Sequence, residues 1–246
     1  MTTTSAITVN AILNRAAAEM GLDTNVDPFA STEKHFIQMR YLLQTLGEEL
    51  ALAYPWEFLN EAHQITTSSA DSGDYDLPTD FHYMIPQTNW DHSNELPMGG
   101  PLNAQDWTYL QGRNLANTTI YASYRLREGK FSVFPQPPPD ALDLNFEYQR
   151  TTWLIPSDDA DAFASEIAGG GDTVLYDRTL ITRGLKVKFL EAKGFDTTKA
   201  QQDFGQAFDF LTSKDKSGEI LSAGMGNSMF PYLDVYRNAP ITGYGI

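Results

Sequence analysis

The chain contains no cysteine in its 246 residues. That excludes a disulfide framework, a thiolate nucleophile and a zinc-thiolate site, and it suits a reducing compartment. Positive charge is scarce as well: 17 Lys and Arg stand against 32 Asp and Glu, a formal net charge of -15. Proteins that grip phosphates through counterion release need the opposite balance, so sequence-specific nucleic-acid binding is not expected. The acidic excess serves solubility, or a surface that DNA passes without sticking. No apolar run is long enough to span a bilayer, and the opening MTTTSAITVN has neither a basic stretch nor an apolar one of the secretory kind. No membrane association is expected.

Catalytic signatures are missing too. There is no GxSxG elbow and no GxxxxGK[ST] loop, and His35, His63, His82 and His92 have no HExxH spacing. Each histidine reads as structural. Gly169-Gly170-Gly171-Asp172 lacks the Lys and Ser/Thr that hold a nucleotide and reads as a flexible hinge. Asp158, Asp159, Asp161 and Glu166 form an acidic cluster, but without the alternating ligand register and closing Glu of a calcium loop. They read as a solvated loop; a glycan hydrolase built on them is the third functional reading, and it needs a fixed carboxylate separation in space. No catalytic, cofactor or metal residue is assigned, and no enzyme is expected.

What the sequence does have is periodicity. Val9, Ile12, Leu13, Ala16, Ala17 and Met20 follow helical spacing up to Gly21. A longer helix, capped by Ser31 or Thr32, carries Phe36, Met39, Leu43, Leu46 and Leu50 and closes at Pro55. Asp177 caps a third with Ile181, Leu185, Phe189 and Ala192, ended by Gly194. Thr198 and Gln201 have capping-box spacing for a fourth, with Ala200, Phe204, Ala207, Phe208 and Leu211 as its stripe. Between these halves the block from Asp80 to Gly112 is aromatic and rich in Pro and Gly, and reads as turn-rich β structure. Strands are expected near Glu61 to Thr67, from Thr118 to Leu126, from Phe131 to Phe134 after a tight reversal at Arg127 to Lys130, and where Leu142, Leu144, Phe146 and Tyr148 alternate with polar residues. The expected fold is therefore α+β: a four-helix bundle from residues 1–54 and 156–216, an inserted mainly antiparallel β module over 55–155, and an extended C-terminal arm over 217–246.

That arm is aperiodic yet apolar. Met229, Phe230, Tyr232, Leu233, Tyr236 and Tyr244 are its candidate partner-binding residues, because such side chains need a surface to lie on. Trp56, Trp90, Trp107 and Trp153 read as core or interface anchors; as exposed stacking platforms they would instead make a tail-associated carbohydrate-binding module.

One pattern runs through most of residues 7 to 212. It comprises Tyr75-Asp76-Leu77-Pro78 leading to Asp80-Phe81, then Trp90-Asp91, Gly100-Pro101-Leu102, Trp107 and Gly112. Tyr124-Arg125-Leu126, the Phe131 to Pro137 strand, Phe146-Glu147-Tyr148 and Leu180-Ile181 to Lys193-Gly194 continue it. Together they resemble the head-to-tail adaptor, or connector, proteins of short-tailed bacteriophages, of the tail tubular protein A type. The chain departs from that pattern at His92, where a basic residue commonly stands, and over Glu166 to Asp172, which has the form of an insertion. The resemblance implies a virion structural protein that forms a homo-oligomeric ring, twelvefold in that family, between the portal protein and the tail nozzle protein. It implies a lumen that viral DNA traverses without sequence-specific binding, no cofactor, and a location at the head-tail junction after assembly in the host cytoplasm. It also makes the portal the expected partner of the arm.

Overall fold

The computed structural model of the chain describes residues 7–112 and 122–215. Helix α1 (Val9–Glu19) is capped by the Thr8 hydroxyl, which accepts from the Ala11 amide, and buries the apolar stripe Val9, Ile12, Leu13, Ala16 and Ala17. Helix α2 (Lys34–Ala53) buries Phe36, Met39, Leu43, Leu46 and Leu50 on one side. Its cap differs from expectation: Glu33 stands at the N-cap without a side-chain bond, and the Ser31 hydroxyl instead accepts from the Glu33 amide. Tyr54, preceding Pro55, is forced to extended geometry and ends the helix.

Two β-dominated layers follow. Strand β2 (Asn60–Thr66) pairs along the length of β9 (Asp143–Arg150), whose other edge carries β4 (Phe81–Met84) and β5 (Trp90–Asp91), with β6 (Leu96–Pro97) beyond β5. A separate sheet sets β3 (Asp74–Asp76) beside β8 (Lys130–Phe134) and β7 (Ser123–Arg127). The β7–β8 reversal turns on Glu128 and Gly129, both left-handed at φ 53 and 73, as a two-residue hairpin demands. The two sheets share one core, in which the rings of Tyr124, Phe131 and Phe146 stack at 5.0 and 5.2 Å. Of the strand expected from Thr118 to Leu126, residues 118–121 lie outside the described part.

Helix α4 (Arg178–Lys193) starts on the Asp177 carboxylate, which accepts from Thr179 and Leu180, and ends on left-handed Gly194. Helix α5 (Thr198–Asp215) begins earlier than its expected capping box: the Asp196 carboxylate accepts from the Thr198 amide and hydroxyl.

The described residues form five helices and eleven strands in three antiparallel sheets, an α+β architecture rich in short strands. A four-helix bundle, expected from the four apolar stripes, is not what they build. Helix α4 sits centrally against α1, α2 and α5, but part of its core is closed by a small sheet rather than by helices. That sheet joins β1 (Ile7–Thr8), β11 (Thr173–Val174) and β10 (Leu154–Ile155), and brings Trp153, Leu154, Val174 and Tyr176 into the helical core. An apolar stripe says that one face is covered, not what covers it. Helix α5 is the clearest case: of its stripe only Ala207 is fully buried, while Phe204 and Phe208 remain half-exposed.

The fifth helix is the second correction. Within the Pro- and Gly-rich block, α3 (Ala104–Gly112) forms directly after Pro101. Asn103 accepts from the Asp106 amide at 2.8 Å and donates back to the Asp106 carboxylate at 2.8 Å, a reciprocal cap that starts the helix.

Candidate interaction surface

The residues that carry the pattern described above are fasteners. Asp80 accepts from the Tyr148 hydroxyl at 3.0 Å and the Thr152 hydroxyl at 3.1 Å, and its carbonyl accepts from the Thr151 amide, tying the start of β4 to the end of β9. Burial, then the Asp80 charge, raise the Tyr148 hydroxyl well above its ordinary value, so it stays a donor. Asp91 is buried and accepts from the amides of Ser93 and Asn94 and from the Asn94 side chain. Gly100 leaves no room for a side chain: a Cβ would lie 2.6 Å from the Tyr124 carbonyl. The Tyr124 hydroxyl is pushed up to about 12 by burial. Trp107 packs edge-on to Phe134 at 6.1 Å.

Several candidates from the sequence do not converge. Asp158, Asp159, Asp161 and Glu166 are exposed, and no group of three or more acidic, His or Cys side chains among the described residues is arranged to hold a metal. His63 lies against Phe146 and Tyr148, His82 against Tyr83, and His35 against Phe36. Trp56, Trp107 and Trp153 are buried, and the Trp56 ring nitrogen donates to the Leu50 carbonyl at 2.8 Å. Three of the four tryptophans thus have no face to offer a sugar. Met229, Phe230, Tyr232, Leu233, Tyr236 and Tyr244 lie outside the described residues.

The glycine run is a correction too. Gly169 to Gly171 form a fixed turn rather than a hinge. The buried Asp172 carboxylate accepts from the amides of Ser157, Ala168 and Gly169, and the Gly170 and Asp172 carbonyls accept from Asn10 and Val9 at the start of α1. Gly170 is pressed against the Asn10 side chain, which is why no Cβ fits there.

What the surface does offer is apolar area on helices. Tyr41 and Leu52 on α2, Phe195 in the α4–α5 connection and Phe210 on α5 are 73, 63, 63 and 57 % exposed. Between α2, α4 and α5 lies an apolar groove of about 230 Å³, lined by Leu46, Leu50, Val187, Phe204 and Phe208. Gly184 forms its floor, and a Cβ there would approach Leu46 at 2.8 Å and Phe204 at 3.0 Å. A second cavity, of about 370 Å³ between α1, α4 and α5, gathers Arg15, Arg183, Lys186 and Lys199. Sequence reasoning missed it. The three-residue step from Arg183 to Lys186 puts both on one face of α4, but nothing local brings Arg15 to them.

No helix among the described residues is long and apolar enough to cross a membrane. No protein-family profile matches the chain, and no curated protein matches it as a relative.

Proposed function

We propose that this chain is a non-enzymatic structural protein of a phage virion, a head-to-tail adaptor whose subunits form a ring between portal and tail nozzle and extend the DNA channel. The observation that carries the reading is the role of the pattern residues: Asp80, Asp91, Gly100, Trp107 and Gly194 each fix a joint between elements. A scattered set of residues that coincides with the joints of a fold is a fold signature, and composition alone would not select those positions. The net charge of -15 supports it, since an acidic lumen repels the DNA backbone and lets it slide. In this reading the partner contacts run through Met229, Phe230, Tyr232, Leu233, Tyr236 and Tyr244 to the portal.

A cryo-electron-microscopy map of the assembled particle tests the proposal. The expected result is density for this chain as a closed ring at the head-tail junction, with subunits lacking residues 224–246 failing to attach to portal-bearing heads. Density for the chain among the tail fibres, or its absence from the particle, would overturn the proposal.

A further inference from the structure

The described residues pack around two cores that share no member. A helical body, residues 7–59 and 153–215, closes around Leu13, Leu43, Trp153 and Leu185, and a β body, residues 60–150, closes around Tyr124, Phe131, Phe146 and Tyr148. The chain passes between them twice. Leu59 is buried in the first core and Ile65 in the second; on the return Tyr148 is buried in the second and Trp153 in the first. The two passages lie side by side, because Asn60 pairs with Gln149 in the β2–β9 ladder. Each leaves the ladder through a change of backbone: the single helical turn Glu57–Leu59 on one strand and a bend at Thr151 on the other.

Polar groups fasten this joint. The Gln149 side chain donates to the Tyr54 carbonyl at 3.3 Å, the Thr151 amide to the Asp80 carbonyl at 2.8 Å, and the Thr152 hydroxyl to the Asp80 carboxylate at 3.1 Å. Arg150 holds both sides at once. Its guanidinium bonds Glu61 of the β body, and on the helical body it bonds the Phe58 carbonyl and lies over the ring of Phe163. Its Nε is buried and has no acceptor among the described residues. A buried donor left unmatched costs free energy, so the joint is held without being fully satisfied. Bodies with separate cores and a polar interface move relative to one another by default, and large apolar interfaces are what prevent it.

We infer that the β body pivots as a unit on the helical body about the paired passages at 57–60 and 150–153, with Arg150 as the latch. The backbone changes needed fall on a few residues at the ends of β2 and β9, where hinges of this kind are placed. Helices and sheets keep their internal packing. Subunits closed into a ring would gain the freedom to tilt their β bodies over a fixed helical layer. That consequence rests on the ring reading, whereas the pivot belongs to the single chain.

Distances between paired nitroxide labels on the full-length chain, read by double electron-electron resonance, test this; with no native cysteine every introduced pair is specific. Thr66→Cys with Gln202→Cys spans the joint, His82→Cys with Thr66→Cys lies within the β body, and Lys34→Cys with Gln202→Cys lies within the helical body, all at exposed positions. Each pair is measured in the natural background, in Arg150→Ala and in Phe163→Ala, which removes the ring and leaves both arginine hydrogen bonds. The distribution across the joint should shift and broaden in Arg150→Ala and broaden less in Phe163→Ala, while both pairs within a body stay unchanged. A distribution across the joint that neither variant alters overturns the inference, because Arg150 then latches nothing. A pair within either body that broadens along with the joint, unfolding of Arg150→Ala included, overturns it too, because the bodies then do not hold independently. Both measurements use the isolated chain, so failure here leaves the adaptor reading intact, and a chain that maps away from the head-tail junction leaves the pivot intact.

Discussion

Gly47, in the middle of α2, lies flat against the buried indole of Trp153, so close that a Cβ at position 47 would overlap the six-membered ring. The Gly47 carbonyl also accepts the hydroxyl of buried Tyr176 at 3.1 Å. In an open helix Gly→Ala gains up to about 1 kcal/mol of propensity. Overpacking a filled core costs about 1–3 kcal/mol, so at this site the steric loss wins. Gly47→Ala should lower the urea midpoint, and Trp153→Phe in the same chain should recover part of it. Gly205 in α5 is the opposite case: a Cβ there would meet nothing among the described residues within 4 Å, so Gly205→Ala should raise the midpoint. A chain in which both changes act alike would contradict the packing described.

Arg150, at the end of β9, is buried between the two cores. Its guanidinium donates to Glu61 at 3.2 Å and to the Phe58 carbonyl at 3.2 Å, and its central carbon lies 3.3 Å from the centre of the Phe163 ring. The Glu61 side chain is 41 % exposed, so water serves it when the arginine is absent. Glu61→Gln should therefore cost under about 1 kcal/mol. Arg150→Ala loses a charged hydrogen bond to a partly buried carbonyl as well as the stacking, a loss on the order of 1.5–3 kcal/mol. Arg150→Lys should not rescue it, since an ammonium has no planar face for Phe163. Equal destabilisation by Glu61→Gln and Arg150→Ala would show that the ion pair, not the carbonyl and ring, holds this joint.

The helices were legible where one stripe and one cap coincide. Asp177 and Gly194 bound α4 as their types demand, and Leu144, Phe146 and Tyr148 alternate inward along β9. What covers each stripe was not legible. Strands β1, β10 and β11 are two residues each and join Ile7 to Val174 and Leu154, so no local period announces them. Helix α3 carried a signal that the surrounding Pro and Gly masked, the three-residue step from Asn103 to Asp106. The Gly169 to Gly171 run looks loose by composition, but its amides and carbonyls are claimed by Asp172 and Asn10 from both sides. The basic cavity depends on Arg15 meeting Arg183, which only tertiary packing supplies.

His63 gives the fold a pH dependence. Burial lowers its pKa from 6.5, against the opposing pull of Glu61 and then Asp80. The unfolded chain therefore binds the proton more readily, and stability rises with pH across this window. The contribution is intact above pH 6.5 and is lost as pH falls from there through the lower folded value. The ring is half-exposed, which keeps the effect small. Thermal melts of the natural chain and of His63→Gln should converge or cross as pH is lowered towards about 5, where the histidine is otherwise charged. A stability difference independent of pH over that range would mean that His63 is not held neutral.

Asp172 is expected to control the turn on which the start of α1 rests. Its two carboxylate oxygens divide their work: one accepts from Ser157 at 3.1 Å, the other from Ala168 at 2.9 Å and Gly169 at 2.8 Å. Its carbonyl independently accepts from Val9 at 2.9 Å. Asp172→Ala removes every side-chain acceptor from three amides, and because Ser157 and Ala168 are exposed enough for water to take its place, the loss is on the order of 1–3 kcal/mol. Asp172→Asn retains one acceptor oxygen and should lose less. Amide hydrogen exchange separates a local role from a global one. In Asp172→Ala the amides of Ser157, Ala168 and Gly169 should lose protection, while those of Met39 and Leu43, inside α2, exchange at a rate set by global stability. Gly170→Ala should loosen the same amides by a different route, because its Cβ would displace the Asn10 side chain that accepts from Phe29. Unchanged protection at Ala168 and Gly169 in both variants would show that the turn is held by its own backbone and not by Asp172 and Asn10.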